Sequence, residues 1–463
     1  MGGQLIWGPT YEEMLHPEKI EASVRQRALA AREDNPLDAV NLYNVTWKKP
    51  DGRPCYMVLP KRLTGVDPNI IVIYGRDFPT GSHKVGATYC VTMEHQLDGE
   101  IRPGVHTIVF PSTGNYGIGG AWVGPRMGYD SLVILPELMS KERFERIESY
   151  GARYIKTRGC ESSVKEIYDK CWELRRQPNV KVLNQFEVMA NYRFHYYVTG
   201  NTVADLVGDL RGQGIGDGRV AAFVSAMGSA GTIAAGDRLK EVFPTTLIVG
   251  LEPVQCPTLY NNGYGDHDIQ GIGDKHVTWI HNVMNMDCLM CIDDIESKMG
   301  LQLLTDPVGM DYLAAEAGIG EDDLRMMSTI FGISGVCNVI GAIKTAKFYG
   351  LNASQNVVTV CTDAIDRYHS VMAQMDERFG KMDRRMAAVR YHSIFQNAKT
   401  DYVQEATRTN RDRWFNLKYY TWVEQQGKTV NELNALKSQD WWQSERARIP
   451  EIDRRLREAR RLA

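Results

Sequence analysis

Ile70-Ile71-Val72-Ile73-Tyr74, followed after a short turn by Pro79-Thr80-Gly81-Ser82-His83-Lys84-Val85-Gly86-Ala87, decides how this chain is read. Five apolar residues bounded by turn residues fit a strand covered on both faces. The Gly81-Ser82 turn then delivers a single lysine to the start of a helical stretch. About thirty residues later comes a second Gly-rich turn, Pro111-Ser112-Thr113-Gly114-Asn115-Tyr116-Gly117, and a third follows at Met227-Gly228-Ser229-Ala230-Gly231-Thr232. Each opens a helical stretch. A helix start presents unpaired N–H groups and the positive end of the helix dipole, so both turns suit anions. Neither has the spacing of a Walker loop or a dinucleotide fingerprint.

Working outward, short apolar runs alternate with helical stretches from residue 70 to about 350, and one more strand follows. The spacing predicts strands at Ile70–Tyr74, His106–Phe110, Ser131–Leu135, Ala152–Lys156, Val220–Val224, Thr246–Leu251 and Val357–Cys361. Helices are predicted between them, among others at Lys141–Tyr150, with Ser140 as N-cap, Ser162–Arg176 and Thr232–Phe243. Alternation at this period predicts an α/β fold with parallel sheets and helical crossovers, in two doubly wound lobes. A chain of 463 residues exceeds one compact core. The expected organisation is an N-terminal helical segment (1–69) packing on the large lobe, a small α/β lobe (70–190) with Lys84 and the second turn, a large α/β lobe (191–375) with the third turn, and a helical C-terminal extension (376–463). Pro178 to Gln185 reads as the hinge between lobes.

The composition, 43% hydrophobic and 24% charged, is that of an ordinary globular protein, and no apolar run approaches a membrane-spanning length. The start, Met1-Gly2-Gly3-Gln4-Leu5-Ile6-Trp7-Gly8, lacks a basic region followed by an apolar core, so a cytoplasmic location without membrane contact is expected. The nine cysteines are odd in number and scattered, which reads as reduced thiols. Cys288 and Cys291 form a CxxC, but no second Cys or His pair stands at zinc spacing, so no metal is expected. Residues 381–463 carry 18 Lys/Arg against 11 Asp/Glu, while the remainder carries 36 against 46. A basic tail on an acidic body raises nucleic-acid binding, but no motif of a known reader is present. The tail mixes both signs and holds Trp414, Trp422, Trp441 and Trp442, so it is expected to pack on an acidic surface of its own subunit or a neighbour, with the tryptophans as anchors.

One lysine after a strand and two small-residue anion loops, in this order and approximate spacing, resemble the β family of pyridoxal phosphate enzymes (fold type II), and most closely the cysteine synthase group. The resemblance covers about residues 70–375. It implies pyridoxal 5'-phosphate as cofactor and Lys84 as the Schiff-base lysine and catalytic base. Ser112-Thr113-Gly114-Asn115-Tyr116-Gly117 resembles the Thr-Ser-Gly-Asn-Thr-Gly loop, which implies substrate-carboxylate contacts from Ser112, Thr113, Gly114 and Tyr116, and a bond from Asn115 to the pyridoxal 3′-oxygen. Tyr116 departs from the family's Thr. Gly228-Ser229-Ala230-Gly231-Thr232 resembles the Gly-Thr-Gly-Gly-Thr phosphate loop. Asn184-Gln185-Phe186 resembles the Gln-Gln-Phe segment, which implies a substrate contact from Gln185. Gly250-Leu251-Glu252-Pro253, Ile269-Gln270-Gly271-Ile272-Gly273 and Gly332-Ile333-Ser334-Gly335 resemble three further family segments. His83 reads as a catalytic helper or as packing beside the cofactor.

At the last strand the family's Pro-Asp-Ser-Gly-Glu-Arg-Tyr stands as Thr362-Asp363-Ala364-Ile365-Asp366-Arg367-Tyr368. The Ser that faces the pyridine nitrogen is Ala364 here. Alternation puts Thr362 on the same side, so Thr362 is expected to supply the hydroxyl. A neutral partner makes a weaker electron sink and favours β-elimination over transamination, provided that Asp363 points away. The resemblance implies β-replacement or β-elimination on a cysteine- or O-acetylserine-like amino acid through an aminoacrylate, by a homodimer or larger homo-oligomer. The alternatives are a non-catalytic scaffold of the same family and a dehydratase or ammonia-lyase on another substituted amino acid.

Overall fold

Apolar runs closed by Gly, Pro and Asn turns become strands, and the longer stretches between them become crossover helices. The computed structural model describes residues 4–112 and 114–462. In chain order the strands are β1 (Tyr56–Val58), β2 (Asn69–Tyr74), β3 (Thr107–Pro111), β4 (Asp130–Pro136), β5 (Arg153–Thr157), β6 (Val180–Val182), β7 (Ala222–Ala226), β8 (Leu247–Pro253), β9 (Cys288–Ile292), β10 (Asn356–Cys361) and β11 (Val403–Glu405). They form a seven-stranded sheet, β1-β2-β10-β7-β8-β9-β11, and a four-stranded sheet, β5-β4-β3-β6. The smaller sheet is parallel throughout, and the larger is parallel except for its edge strands β1 and β11. β2 and β10 are buried at all six positions, as a parallel sheet covered on both faces requires.

Three features differ from the sequence reading. β2 lies in segment 70–190, yet it pairs with β10 in register Ile70↔Val357 and so belongs to the larger sheet. The smaller sheet therefore begins at β3, and Lys84 follows a strand of the larger one. β6 occupies the segment read as a hinge and pairs with β3. β11 interrupts the extension read as helical and adds an antiparallel edge next to β9. Three residues are too few to show a period, and the pairing of β2 is decided by long-range packing. Cys288 and Cys291, three apart on β9, alternate to opposite faces and cannot chelate one ion. Among the described residues no helix is long and apolar enough to cross a membrane.

The extension packs on its own subunit. Trp414, Trp422 and Trp442 are fully buried, and Trp441 is half-buried. Its basic residues pair with acids of the body: Arg446 with Asp237 (3.4 Å), Lys428 with Glu187 (2.7 Å), and Arg455 with Asp98 (2.8 Å). The N-terminal segment is held from two sides. Asp453 of the last helix accepts the backbone N–H groups of Tyr11 and Glu12 at 2.8 and 3.0 Å, and Tyr11 donates to Glu94 at 2.6 Å. Lys418 is fully buried and donates its Nζ to three backbone carbonyls, Thr278 (2.7 Å), Trp279 (2.9 Å) and His281 (2.7 Å). These carbonyls belong to the segment that runs beside the third Gly-rich turn.

Candidate active site

β2, β10 and β7 are neighbours, and three of the expected site segments leave their carboxyl ends. Lys84 begins the helix Lys84–Leu97 after β2, Thr362 follows β10, and Gly228–Thr232 follow β7. Ser112–Asn115 leave the carboxyl end of β3 in the other sheet. Carboxyl ends of parallel strands are where open α/β sheets leave a crevice for ligands. Segments 145 residues apart in sequence therefore meet at one place.

Lys84 is buried, and its Nζ donates to Ser229 Oγ at 3.1 Å. Ser229 Oγ also accepts from Asn191 Nδ2 at 3.1 Å. Burial pulls the Lys84 ammonium down to about 8, against the opposing charges of Asp274 and Glu161. Lys84 opens into a small cavity of about 10 Å³ that is also lined by Gly228, Ala230, Thr232, Asn338 and Thr362. His83 packs beside this site: its ring stacks on Trp47 at 5.2 Å, and its Nε2 lies 3.1 Å from Thr232 Oγ1. Burial, with Lys84 adjacent, holds His83 neutral, well below the usual histidine range.

The third turn is a tight backbone cradle. A Cβ on Gly228 would stand 3.0 Å from the Gly271 carbonyl, and one on Gly231 would stand 2.1 Å from Asn191 Oδ1. Thr278 Oγ1 donates to the Ser229 carbonyl at 3.0 Å, which fixes the turn from outside. Ala230 has φ +60°, a region that costs a side chain about 1–2 kcal/mol. Ala230→Gly is expected to raise the unfolding free energy by about 1 kcal/mol, read from the denaturant midpoint at unchanged slope. A small-residue turn bordering an enclosed space beside a lysine amine fits a phosphate group attached to an aldehyde.

In the second turn Ser112 Oγ accepts the N–H groups of Gly114 and Gly117, both at 2.8 Å. Thr113 lies outside the described residues. Gly114 has φ +154°, and a Cβ there would lie 1.6 Å from Arg143 Nη1, so glycine is required. Asn115 is buried; its Nδ2 donates to Asp363 Oδ2 at 2.6 Å, and its Oδ1 accepts from Arg367 Nε at 3.0 Å. Gln185 Nε2 donates to the Pro111 carbonyl at 3.3 Å, beside the same turn. Tyr116 differs from the expected substrate contact: its ring is buried in the core, and its hydroxyl donates to the Leu183 carbonyl at 3.0 Å. The larger side chain faces the strand layer and leaves only backbone for the turn.

Asp363 is fully buried, bonded by Asn115 and by the Tyr368 hydroxyl (2.7 Å), with Arg143 at 3.7 Å, and does not line the Lys84 cavity. Thr362 does line the Lys84 cavity. The end of β10 thus presents the Thr362 hydroxyl to the cavity, while the Asp363 carboxylate is held by Asn115 and Tyr368. Sequence reading missed Arg143, Asn191 and Asp274. Arg143 sits in a charged amphipathic stretch, where nothing local marks it as buried. Asp274 directly follows the Gly271-Ile272-Gly273 turn, which is the signal by which it was findable. Glu252, at the Glu-Pro strand end, accepts Leu259 N at 3.0 Å and Tyr260 N at 2.7 Å and so serves as a backbone cap.

A buried lysine whose ammonium is pulled down by burial, facing a small-residue backbone cradle at the carboxyl ends of parallel strands, fits the class of enzymes that bind a phosphorylated aldehyde cofactor. Comparison with known proteins agrees. A family model described as pyridoxal-phosphate dependent enzyme matches residues 76–305. The cysteine synthase of Staphylococcus aureus is 31% identical over 310 residues, covering 66% of this chain and 90% of the relative. A probable cysteine synthase of Bacillus subtilis is 31% identical over 294 residues, covering 63% and 85%. Among solved structures, the cysteine synthase of Entamoeba histolytica aligns with a TM-score of 0.58 at 22% identity, covering 74% of this chain and 93% of that one. A hydrogen sulfide-producing enzyme of Fusobacterium nucleatum aligns with a TM-score of 0.56 at 24% identity, covering 73% and 92%. The chain belongs to the pyridoxal-phosphate dependent enzyme family, fold type II. It is a pyridoxal phosphate-dependent enzyme of β-replacement or β-elimination.

Proposed function

We propose that the enzyme removes or replaces the β-substituent of a cysteine- or O-acetylserine-like amino acid. The observation that carries this reading is the buried Lys84 amine held on Ser229 in a cavity lined by the phosphate cradle and Thr362. Lys84 would hold pyridoxal phosphate covalently, Gly228, Ser229, Ala230, Gly231 and Thr232 would hold its phosphate, and Asn115 and Thr362 would border its ring. When bound, the cofactor supplies an electron sink for the pair left at Cα. The chain's own groups do the rest. Ser112 holds the second turn in shape, and the backbone N–H groups there, with Gln185, hold the substrate carboxylate and fix which Cα bond breaks. The Lys84 amine would serve as the base that takes the Cα proton. The names of the cysteine synthase relatives support the same reading.

Purified holoenzyme should release sulfide and pyruvate from cysteine, or acetate from O-acetylserine with cysteine formed when sulfide is present. The first outcome assigns elimination and the second replacement. A holoenzyme inert to both amino acids, in either enantiomer, contradicts the proposal.

The depressed Lys84 value also sets the pH dependence of cofactor capture. The amine attacks the aldehyde only when neutral, and neutral amine is lost as pH falls through about 8. The capture rate of cofactor-free protein, followed by absorbance, should fall about tenfold per pH unit below 8 and level off above it. A rate still climbing steeply at pH 10 would show an ordinary, exposed lysine.

A further inference from the structure

After the Gly271-Ile272-Gly273 turn the chain runs through residues 274–282 without helix or strand, and residues 277–282 are all buried. Their carbonyls therefore lack the partners that a ladder would supply. The C-terminal extension supplies them. From one short helix, Lys418–Trp422, Trp422 Nε1 donates to the Val277 carbonyl at 2.8 Å. From the same helix Lys418 Nζ donates to the carbonyls of Thr278, Trp279 and His281 at 2.7, 2.9 and 2.7 Å. The segment in turn holds the site. Thr278 Oγ1 donates to the Ser229 carbonyl at 3.0 Å, and Trp279 N donates at 3.0 Å to the carbonyl of Phe186, the residue after Gln185.

Lys418 does more than a neutral donor could. It is fully buried. A neutral amine carries two hydrogens and a planar side-chain amide offers two donors, so three bonds from one nitrogen need the ammonium. Burial pulls that ammonium well below the usual lysine range, and no acidic side chain among the described residues offsets the pull. His276 and His281 are held neutral by burial and by the Lys418 charge. The charge therefore rests on carbonyl dipoles. Neutral oxygens at 2.7 to 2.9 Å from one centre suit a large monovalent cation. Calcium and magnesium take oxygens at about 2.3–2.6 and about 2.0–2.1 Å and draw on carboxylates. Converging backbone carbonyls are a means of replacing the hydration shell of a monovalent ion.

We propose that the carbonyls of Thr278, Trp279 and His281 form a monovalent-cation site, that the Lys418 ammonium is its tethered occupant, and that free potassium or ammonium takes the site once the tether is removed. The cation draws three carbonyls of one segment to a point, and this holds Thr278 against the phosphate cradle. With the extension carrying its own cation, cofactor binding is indifferent to the potassium concentration. The proposal goes beyond the β-chemistry and holds whichever amino acid is the substrate.

The test compares full-length wild type and K418A in potassium, ammonium and choline chloride at equal ionic strength, with K418M as a control whose side chain fills the space without charge. In choline, K418A should lose its fold or bind pyridoxal phosphate at least about tenfold more weakly than wild type. Potassium or ammonium should restore its affinity to within about threefold, along a saturating curve, and raise its thermal midpoint in parallel. K418M should stay weak in every salt, and the wild type should be the same in all. K418A equally weak in the three salts, or unable to fold even in potassium and ammonium, overturns the proposal, because the carbonyls then hold no free cation. Full affinity of K418A in choline overturns it too, since no cation is then needed. Equal rescue of K418M would reveal a general salt effect, and a wild type that gains affinity with potassium would show that Lys418 does not fill the site; either result overturns it. Cofactor binding is read by absorbance, so these outcomes stand apart from the success or failure of the β-chemistry.

Discussion

Lys84→Ala is expected to lower turnover by at least about 10³-fold and to abolish covalent capture of pyridoxal phosphate. Both effects follow from one atom. Nζ is the amine that reaches the cavity, and it links the end of β2 to the cradle after β7 through Ser229. His83 cannot replace it, because its ring is stacked on Trp47 and its Nε2 is engaged with Thr232. The fold should survive, since the side chain contributes one hydrogen bond and no core packing. Phosphate binding should persist, so the variant should take up the cofactor reversibly and show the band of the free aldehyde. Turnover within tenfold of wild type would remove Lys84 from the mechanism.

Trp422→Ala is expected to cost about 3–5 kcal/mol of stability, measured by chemical denaturation. Trp422 is fully buried, its Nε1 donates to the Val277 carbonyl at 2.8 Å, and its ring lies 5.7 Å from Trp279 and 6.2 Å from Tyr168. It shares a short helix, Lys418–Trp422, with the lysine that gathers three carbonyls of the same segment. That segment in turn holds the cradle through Thr278 and Ser229. The loss should therefore also weaken cofactor affinity, although no atom of Trp422 borders the cavity. Trp441→Ala, at a half-buried position, should cost about 1 kcal/mol or less. Similar costs for the two tryptophans would contradict the view that the extension is an integral support of the site.

Much of this was legible because local pattern and chemistry coincided. The runs at 70–74, 220–224 and 357–361 are apolar throughout, as strands covered on both faces must be, and the glycines of the turns mark where backbone must come close. Lys84, the third turn and Thr362 line one cavity. What was not legible is decided at long range. The pairing of β2 with β10 moves Lys84 onto the larger sheet, and no feature of residues 70–74 records its partner strand. Tyr116 replaces a small residue and turns inward because a pocket ending at Leu183 receives its hydroxyl. The basic excess of the extension, read alone, suggested nucleic acid, whereas acids that it meets lie 209 and 357 residues away, at Asp237 and Asp98.

The most direct test of the central claim is borohydride reduction of the holoenzyme followed by mass mapping of its peptides. A phosphopyridoxyl group on Lys84 alone is the predicted result. A label on another lysine, or none at all on protein that carries the cofactor's visible band, would contradict it.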